Sequence, residues 1–143
     1  MKKMLKRRSG FTLVELLIVI IIIGILAGAM LLVAGSGTDS AEATKIISDL
    51  RSLKAAALMF MADNAANDAP DIDDLVDYMD KDVGTGYEVD TDTEEGQWWV
   101  GKTGITGGVS TKLAPKAGDL GLFVEPGGDA FADGDDEAWM RAK

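Results

Sequence analysis

The sequence contains no cysteine and no histidine among its 143 residues, and only three prolines. Without cysteine the chain can form no disulfide bond and no thiolate metal site, and thiol-based catalysis is excluded. Without histidine it lacks the commonest metal ligand and the only side chain that ordinarily titrates near neutral pH. Catalysis would therefore have to rely on carboxylate, lysine, hydroxyl or phenol groups.

Positive charge is the next scarce feature, and it is unevenly distributed. The chain has 14 lysine and arginine residues against 24 aspartate and glutamate residues, a formal net charge of −10. This balance argues against binding of nucleic acid through its phosphate backbone. Five of the 14 basic residues fall within the first ten positions, which contain no acid. The N-terminal segment therefore differs sharply from the acidic remainder of the chain.

An uncharged apolar stretch of 19 residues, from Leu16 to Ala34, follows the basic segment. As a helix it would span about 28 Å, close to the ~30 Å hydrocarbon core of a bilayer. The preceding basic residues predict that the N-terminus stays in the cytoplasm. A cleaved secretory signal is disfavoured, because its apolar region is usually shorter and because no A-x-A site follows here. A plain signal anchor remains an alternative.

One acidic residue, Glu15, lies just before the uncharged stretch. A carboxylate at membrane depth costs about 2.5–3.5 kcal/mol on insertion scales, so such a residue is a candidate for function. Glu15 ends the sequence Gly10-Phe11-Thr12-Leu13-Val14-Glu15, which follows the basic leader directly. This motif, with its leader and its apolar stem, resembles the processing site of type IV prepilins and pseudopilins.

The resemblance implies specific roles for three residues. A membrane peptidase and methyltransferase would cut between Gly10 and Phe11 and methylate the new amine of Phe11. In a filament, Glu15 of a docked subunit would pair with the Phe11 ammonium of the incoming subunit. The alternative is that Glu15 serves only its own helix, where the dipole of the first turn favours an anion by about 0.3–1 kcal/mol. The cut would leave nine basic residues against 24 acidic ones, a formal side-chain charge of −15. The absence of a proline in the stem and of a cysteine-closed loop leaves the subclass within the family open.

Three segments are predicted on this basis. Residues 1–10 form a basic leader that is removed, and residues 11–38 form an apolar helix for the membrane and the filament core. Residues 39–143 form an acidic extracytoplasmic head. The predicted fold class is α+β, with the long N-terminal helix, a membrane stem continued by an amphipathic spine, packed on a small antiparallel sheet.

The boundary between stem and spine carries two local signals. Residues 34–38 include two glycines, which predict a hinge or a weakened stretch of helix. Asp39 and Glu42 then have the spacing of a capping box. Apolar residues at helical spacing predict an amphipathic helix from about residue 39 to 65.

Short elements are predicted in the rest of the head. Pro70 suits the first turn of a short helix, for which Asp68 is a candidate cap. Alternating and periodic apolar residues predict the remaining elements. These are strands at residues 87–90, 97–101 and 138–142, the last one anchored by Trp139, and a helix at residues 110–121.

The adjacent residues Trp98 and Trp99 fall within the second predicted strand. Because successive residues of a strand point to opposite faces, one tryptophan should lie in the core and the other should be partly exposed. The exposed one would either pack under a loop or contact another subunit, since tryptophan is enriched at interfaces.

Acidic side chains crowd the loop before the last strand. The main interpretation is a solvated acidic surface, and the alternative is a calcium site, because Ca²⁺ takes six to eight oxygen ligands. The spacing does not fit an EF-hand, and no enclosed carboxylate pair suggests glycosidase chemistry. The candidate calcium ligands are Asp129, Asp133, Asp135, Asp136 and Glu137.

The function predicted from these patterns is structural. The chain is interpreted as a type IV pilus pilin, with the pseudopilin of a type II secretion system as the alternative and a signal-anchored extracytoplasmic binding domain as a remoter one. Its partners would be identical subunits in a helical filament, a prepilin peptidase and methyltransferase, and an assembly platform in the cytoplasmic membrane. It would start as a single-pass precursor in that membrane and end in an extracellular or periplasmic filament. We expect no catalytic residue and no cofactor apart from the candidate calcium.

Overall fold

The structure, a computed structural model, describes residues 10–64, 69–91 and 96–143. Contacts divide the chain into two compact units, the first ending at Ser36 and the second running from Gly37 to Lys143. A long N-terminal helix and a small antiparallel sheet make an α+β fold, which confirms the predicted class. In chain order the elements are α1 (Leu13–Asp63), α2 (Ile72–Val76), β1 (Tyr87–Asp90), β2 (Trp99–Lys102), α3 (Gly107–Leu120), β3 (Leu122–Phe123) and β4 (Ala138–Arg141).

In the first unit, α1 is a helix of exposed apolar side chains. None of its most apolar 18-residue window is buried. Ile25, Leu31 and Leu32, for example, are 66%, 82% and 83% exposed. By length and composition this helix could cross a membrane, as the sequence predicts.

The structure is helical throughout residues 34–38, so the hinge predicted there is wrong, whereas the alternative of a weakened stretch of helix stays a prediction. Asp39, the predicted cap, accordingly lies inside the helix rather than at its start. Each glycine costs a helix about 1 kcal/mol relative to alanine, whereas extending an existing helix adds one hydrogen bond per residue. Two glycines therefore do not stop a helix that is already formed on both sides.

In the second unit, the C-terminal part of α1 forms one wall of the core. Its apolar residues recur every three or four positions, so they share one face of the helix. This confirms the predicted amphipathic helix, which ends at Asp63. The same core cluster contains residues of the sheet and of α3. Its fully buried α1 members are Ala43, Ile46, Leu50, Leu53, Ala56 and Ala57.

The sheet is antiparallel throughout, with the strand order β1-β2-β4-β3. The first predicted strand is confirmed at residues 87–90. The second strand begins at Trp99, two residues later than predicted, and the last one ends at Arg141. Strand β3, which the sequence analysis did not predict, occupies an edge and has only two residues.

The helix α3 is confirmed, although it begins three residues earlier than predicted, at Gly107. A hydrogen bond of 2.8 Å from Ser110 N to Thr106 O closes its first turn. It ends at Gly121, whose positive φ of 63° is the left-handed conformation that glycine adopts without strain. This turn leads directly into β3 and so positions the edge of the sheet.

The short helix α2 has a different cap from the predicted one. Asp71 is the N-cap, and its carboxylate accepts from Asp74 N at 2.9 Å, while Asp74 accepts from Asp71 N at 3.1 Å. Pro70 therefore precedes the cap instead of occupying the first turn. The predicted cap, Asp68, lies outside the described residues.

Both adjacent tryptophans are buried, so the prediction that one is partly exposed is wrong. Trp98 belongs to the core cluster and packs edge-on against Phe60 at 6.3 Å between centroids. Trp99 lies outside that cluster and packs edge-on against Phe123 at 5.3 Å. Trp139, also buried, covers Gly101 of the neighbouring strand. The rings of Trp99 and Phe123 thus pack together outside the main core cluster, and Trp139, predicted as the core anchor of the last strand, is buried but also lies outside that cluster.

Candidate functional site

The predicted processing site lies directly before α1. Gly10, Phe11 and Thr12 have no regular secondary structure, and Phe11 is 86% exposed. No described atom lies within 4 Å of the position that a Cβ on Gly10 would take. Within the described residues, the fold of this chain therefore does not require glycine at position 10.

Glu15 caps its own helix in this structure. Its Oε2 accepts hydrogen bonds from both Thr12 N and Thr12 Oγ1 at 2.8 Å. In return, Glu15 N donates to Thr12 Oγ1 at 3.2 Å. These contacts form a capping box of the T-x-x-E type. The box predicted from the sequence lies at residues 39–42, whereas this one was not predicted, although the same spacing is present immediately before the apolar run.

The five candidate calcium ligands are not brought together. Asp133 accepts from Thr111 Oγ1 at 2.8 Å, Asp135 from Ala132 N at 2.7 Å, and Glu137 from Trp139 Nε1 at 3.1 Å. Asp129 and Asp136 are exposed. Within the described residues, no group of three or more acidic side chains is arranged to hold a metal ion. The calcium site thus stays a prediction that these contacts do not support.

A polar cluster of two buried residues and one exposed lysine links α1 to β1. The carboxylate of Asp49, a residue that is 9% exposed, accepts from the Tyr87 hydroxyl at 2.8 Å and from Lys45 Nζ at 3.0 Å. Lys45 Nζ also lies 5.9 Å from the centre of the Tyr87 ring. The i, i+4 spacing of Lys45 and Asp49 is visible in the sequence, but Tyr87, the partner that approaches Asp49, is 38 positions away along the chain.

The surroundings of Tyr87 in this cluster raise the pKa of its hydroxyl group. Burial, followed by the hydrogen bond to Asp49 and the charges of Asp49 and Glu42, raises the pKa of Tyr87 above its ordinary value. The neutral hydroxyl therefore remains a donor to the carboxylate over the whole physiological pH range. Because the cluster lies inside the head and Tyr87 is buried, its role is to fix β1 against α1.

A family of known proteins matches the N-terminal segment of the chain. The family described as the prokaryotic N-terminal methylation motif matches residues 5–31. The chain carries this motif. The resemblance to type IV pilins and pseudopilins, predicted from residues 10–15, is therefore confirmed over this segment.

Several curated relatives of this chain carry a more specific name. The chain is 36% identical over 61 residues to "type II secretion system core protein G" of Klebsiella pneumoniae, covering 43% of this chain and 44% of that protein. It is 38% identical over 61 residues to the protein of that name from Pseudomonas aeruginosa, covering 43% of each. For Aeromonas hydrophila the identity is 39% over 59 residues, covering 41% of each. The matches thus span less than half the length of these relatives, and no solved structure matches the chain.

Proposed function

We propose that the chain is a non-enzymatic structural subunit of the pseudopilin type, which assembles with copies of itself into a filament of a type II secretion system. The methylation motif at residues 5–31 carries this proposal, together with relatives named for that system. The pilus pilin, which was the main interpretation of the sequence, becomes the second choice because these relatives favour its alternative.

The exposed stem supports a subunit that is stored in a membrane before assembly. Fully burying one leucine or isoleucine side chain is worth about 1.5–3 kcal/mol, and the first unit exposes many of them. Water is therefore a poor solvent for this helix, whereas lipid chains or neighbouring stems would cover the same surface. The precursor would sit in the cytoplasmic membrane with its basic leader in the cytoplasm. An assembly platform in that membrane would then move the stem into a periplasmic or extracellular filament.

Processing would change what Glu15 contacts. In the uncut chain its carboxylate caps its own helix, an interaction worth about 0.5–2 kcal/mol. A cut after Gly10 would create an ammonium group on Phe11 that loses its water in a filament core. Removing one partner of a buried ion pair costs about 3–5 kcal/mol, which exceeds the value of the cap. The magnitudes therefore favour an intermolecular pair between Glu15 and the Phe11 amine of the next subunit.

Mass spectrometry of the full chain, produced with and without a prepilin peptidase, tests the processing step. We expect the peptidase to yield a mature chain that begins at N-methylated Phe11. The Gly10→Leu variant should remain uncut, because a side chain there clashes with the enzyme and not with this chain. Gly24→Leu is the matched control, since its Cβ position is equally open and it lies away from the cut. A mature chain that begins at Met1 or after Ala34 would contradict the proposal.

Deletion of the gene separates the two filament types. A pseudopilin mutant should lose secretion of folded exoproteins while its surface pili remain. Complementation with the wild-type chain should restore secretion, and complementation with Gly10→Leu should not. Loss of surface pili with unchanged secretion would instead support the pilus interpretation.

A further inference from the structure

A tight turn in the loop before β4 contains the sequence Asp133-Gly134. Asp135 N donates to Ala132 O at 3.3 Å across this turn, and Gly134 has a φ of 100°. A turn whose third residue has a positive φ favours glycine there, because a side chain would be strained. The turn therefore fixes a glycine directly after an aspartate. Asp133-Gly134 is the only Asp-Gly pair in the sequence, which has no Asn-Gly pair either.

An Asp-Gly pair is the place where a polypeptide backbone most readily rearranges. The glycine nitrogen can attack the aspartate Cγ, because glycine has no side chain that hinders the approach. The new N–Cγ bond closes a cyclic imide, while the nitrogen loses its proton and the protonated carboxyl group loses its hydroxyl, which leave together as water. Water then reopens the ring at either carbonyl group. Opening at the main-chain carbonyl yields isoaspartate, in which the backbone runs through the side chain and is longer by a methylene group.

Two neighbouring hydroxyl groups of α3 hold both reacting groups of this pair. Gly134 N, the attacking atom, donates to Ser110 Oγ at 2.9 Å, and Ser110 is completely buried. Ser110 Oγ in turn donates to Ala132 O at 3.3 Å, so this hydroxyl ties both sides of the turn to α3. The Asp133 carboxylate accepts from Thr111 Oγ1 at 2.8 Å, which restricts its rotation towards the glycine nitrogen.

We propose that Asp133 is a latent site of isoaspartate formation, which Ser110 and Thr111 keep closed while the chain is folded. A nitrogen that donates to a buried hydroxyl can attack only after this hydrogen bond breaks, which requires local opening of the turn. After the rearrangement, the longer backbone would displace Asp136, whose carbonyl accepts from Ile105 N at 2.8 Å. The modification would therefore loosen the segment that leads into β4. The inference does not depend on the proposed function.

Prolonged warm incubation of the detergent-solubilised full chain, either folded or unfolded in guanidinium chloride, tests the proposal without any substitution. Trypsin releases residues 117–141 as one peptide, in which electron-transfer fragmentation distinguishes isoaspartate from aspartate. Asp119 in the same peptide is the internal reference, because the side chain of Leu120 hinders attack there. We expect isoaspartate at Asp133 to accumulate roughly tenfold faster or more in the unfolded chain, while Asp119 stays low in both. Equal rates at Asp133 in the folded and unfolded chains would overturn the proposal.

Substitutions in the folded chain show which contact closes the site. Ser110→Ala removes the acceptor of Gly134 N, so it should raise the rate at Asp133 roughly fivefold, as expected for loss of one hydrogen bond. Thr111→Val should raise the rate less, because this threonine is exposed. Ser52→Ala is the matched control, since its hydroxyl donates within α1, and it should leave the rate unchanged. Near-ultraviolet circular dichroism verifies that each variant is folded, and a folded Ser110→Ala variant with the wild-type rate would refute the inference.

Discussion

Replacement of Tyr87 by phenylalanine would test how the head is fixed to α1. The substitution removes only the hydroxyl that donates to the buried Asp49 carboxylate at 2.8 Å. A hydrogen bond to a charged group is worth about 1.5–3 kcal/mol. Since 1 kcal/mol corresponds to about 4 °C in a domain of this size, the melting temperature should fall by roughly 6–12 °C. Asp49 would keep Lys45 as its remaining side-chain partner.

Thermal unfolding of the detergent-solubilised full chain, followed by near-ultraviolet circular dichroism, would measure this loss. Tyr78→Phe is the matched control, because within the described residues the Tyr78 hydroxyl accepts only a long 3.5 Å contact, from Asn64 Nδ2. The control should change the free energy of unfolding by no more than about 0.5 kcal/mol. Equal stability of Tyr87→Phe and Tyr78→Phe would show that the Asp49 cluster does not hold β1 in place.

The pH dependence of the melting temperature provides an independent check on the same cluster. Because the folded state raises the pKa of Tyr87, the folded chain holds the phenol proton more tightly than the unfolded chain does. The resulting stabilisation is complete below about pH 10, where unfolded tyrosine is also neutral, and it is lost as the pH rises further. The wild-type melting temperature should therefore decline above that pH more steeply than that of Tyr87→Phe. Parallel curves for the two proteins would contradict this account.

Three further outcomes are expected. Glu15→Val should be inserted and cleaved normally yet fail to form filaments when it is the only subunit, as electron microscopy would show; normal filaments would mean that the carboxylate serves only its own helix. Gly101→Ala should lower the free energy of unfolding by about 1–3 kcal/mol, because the new methyl group meets the Trp139 ring, whereas Gly118→Ala on α3 has open space and should not destabilise the chain. Chelation of calcium should leave the melting temperature unchanged, because Asp133, Asp135 and Glu137 already accept hydrogen bonds within the chain; a higher melting temperature in millimolar calcium would revive the predicted site.

Structural features that depend only on residues adjacent along the chain could be predicted from the sequence. The apolar stem, the motif at residues 10–15 and the strand at residues 87–90 all follow from local composition or alternation, and the structure or the family match confirms each of them. The capping box of Thr12 and Glu15 is equally local, so its T-x-x-E spacing could have been recognised. Strand β3 could not, because two residues are too few to display a period.

Features that depend on residues distant in the chain could not be predicted. The Asp49 carboxylate is buried because Tyr87, 38 positions later, approaches it from β1. The burial of Trp99 likewise depends on Phe123, which arrives through an edge strand that no pattern indicated. Alternation along the strand predicted at residues 97–101 separated the two tryptophans, but it could not show that Phe123 packs against the outer one, Trp99.

Charge and apolar surface would have separate roles in the proposed filament. Mature subunits with a formal charge of −15 repel one another, but at physiological ionic strength this repulsion is screened beyond about 8 Å. Burial of the exposed stems is not screened by salt, so it would supply most of the driving force for assembly. Apolar burial is also non-directional and cannot by itself choose a register between neighbours. The proposed pair between Glu15 and the Phe11 amine of the next subunit is directional and acts inside the screening distance, so it would fix that register. Added salt should therefore weaken the repulsion between the acidic heads while leaving the register and the burial of the stems unchanged.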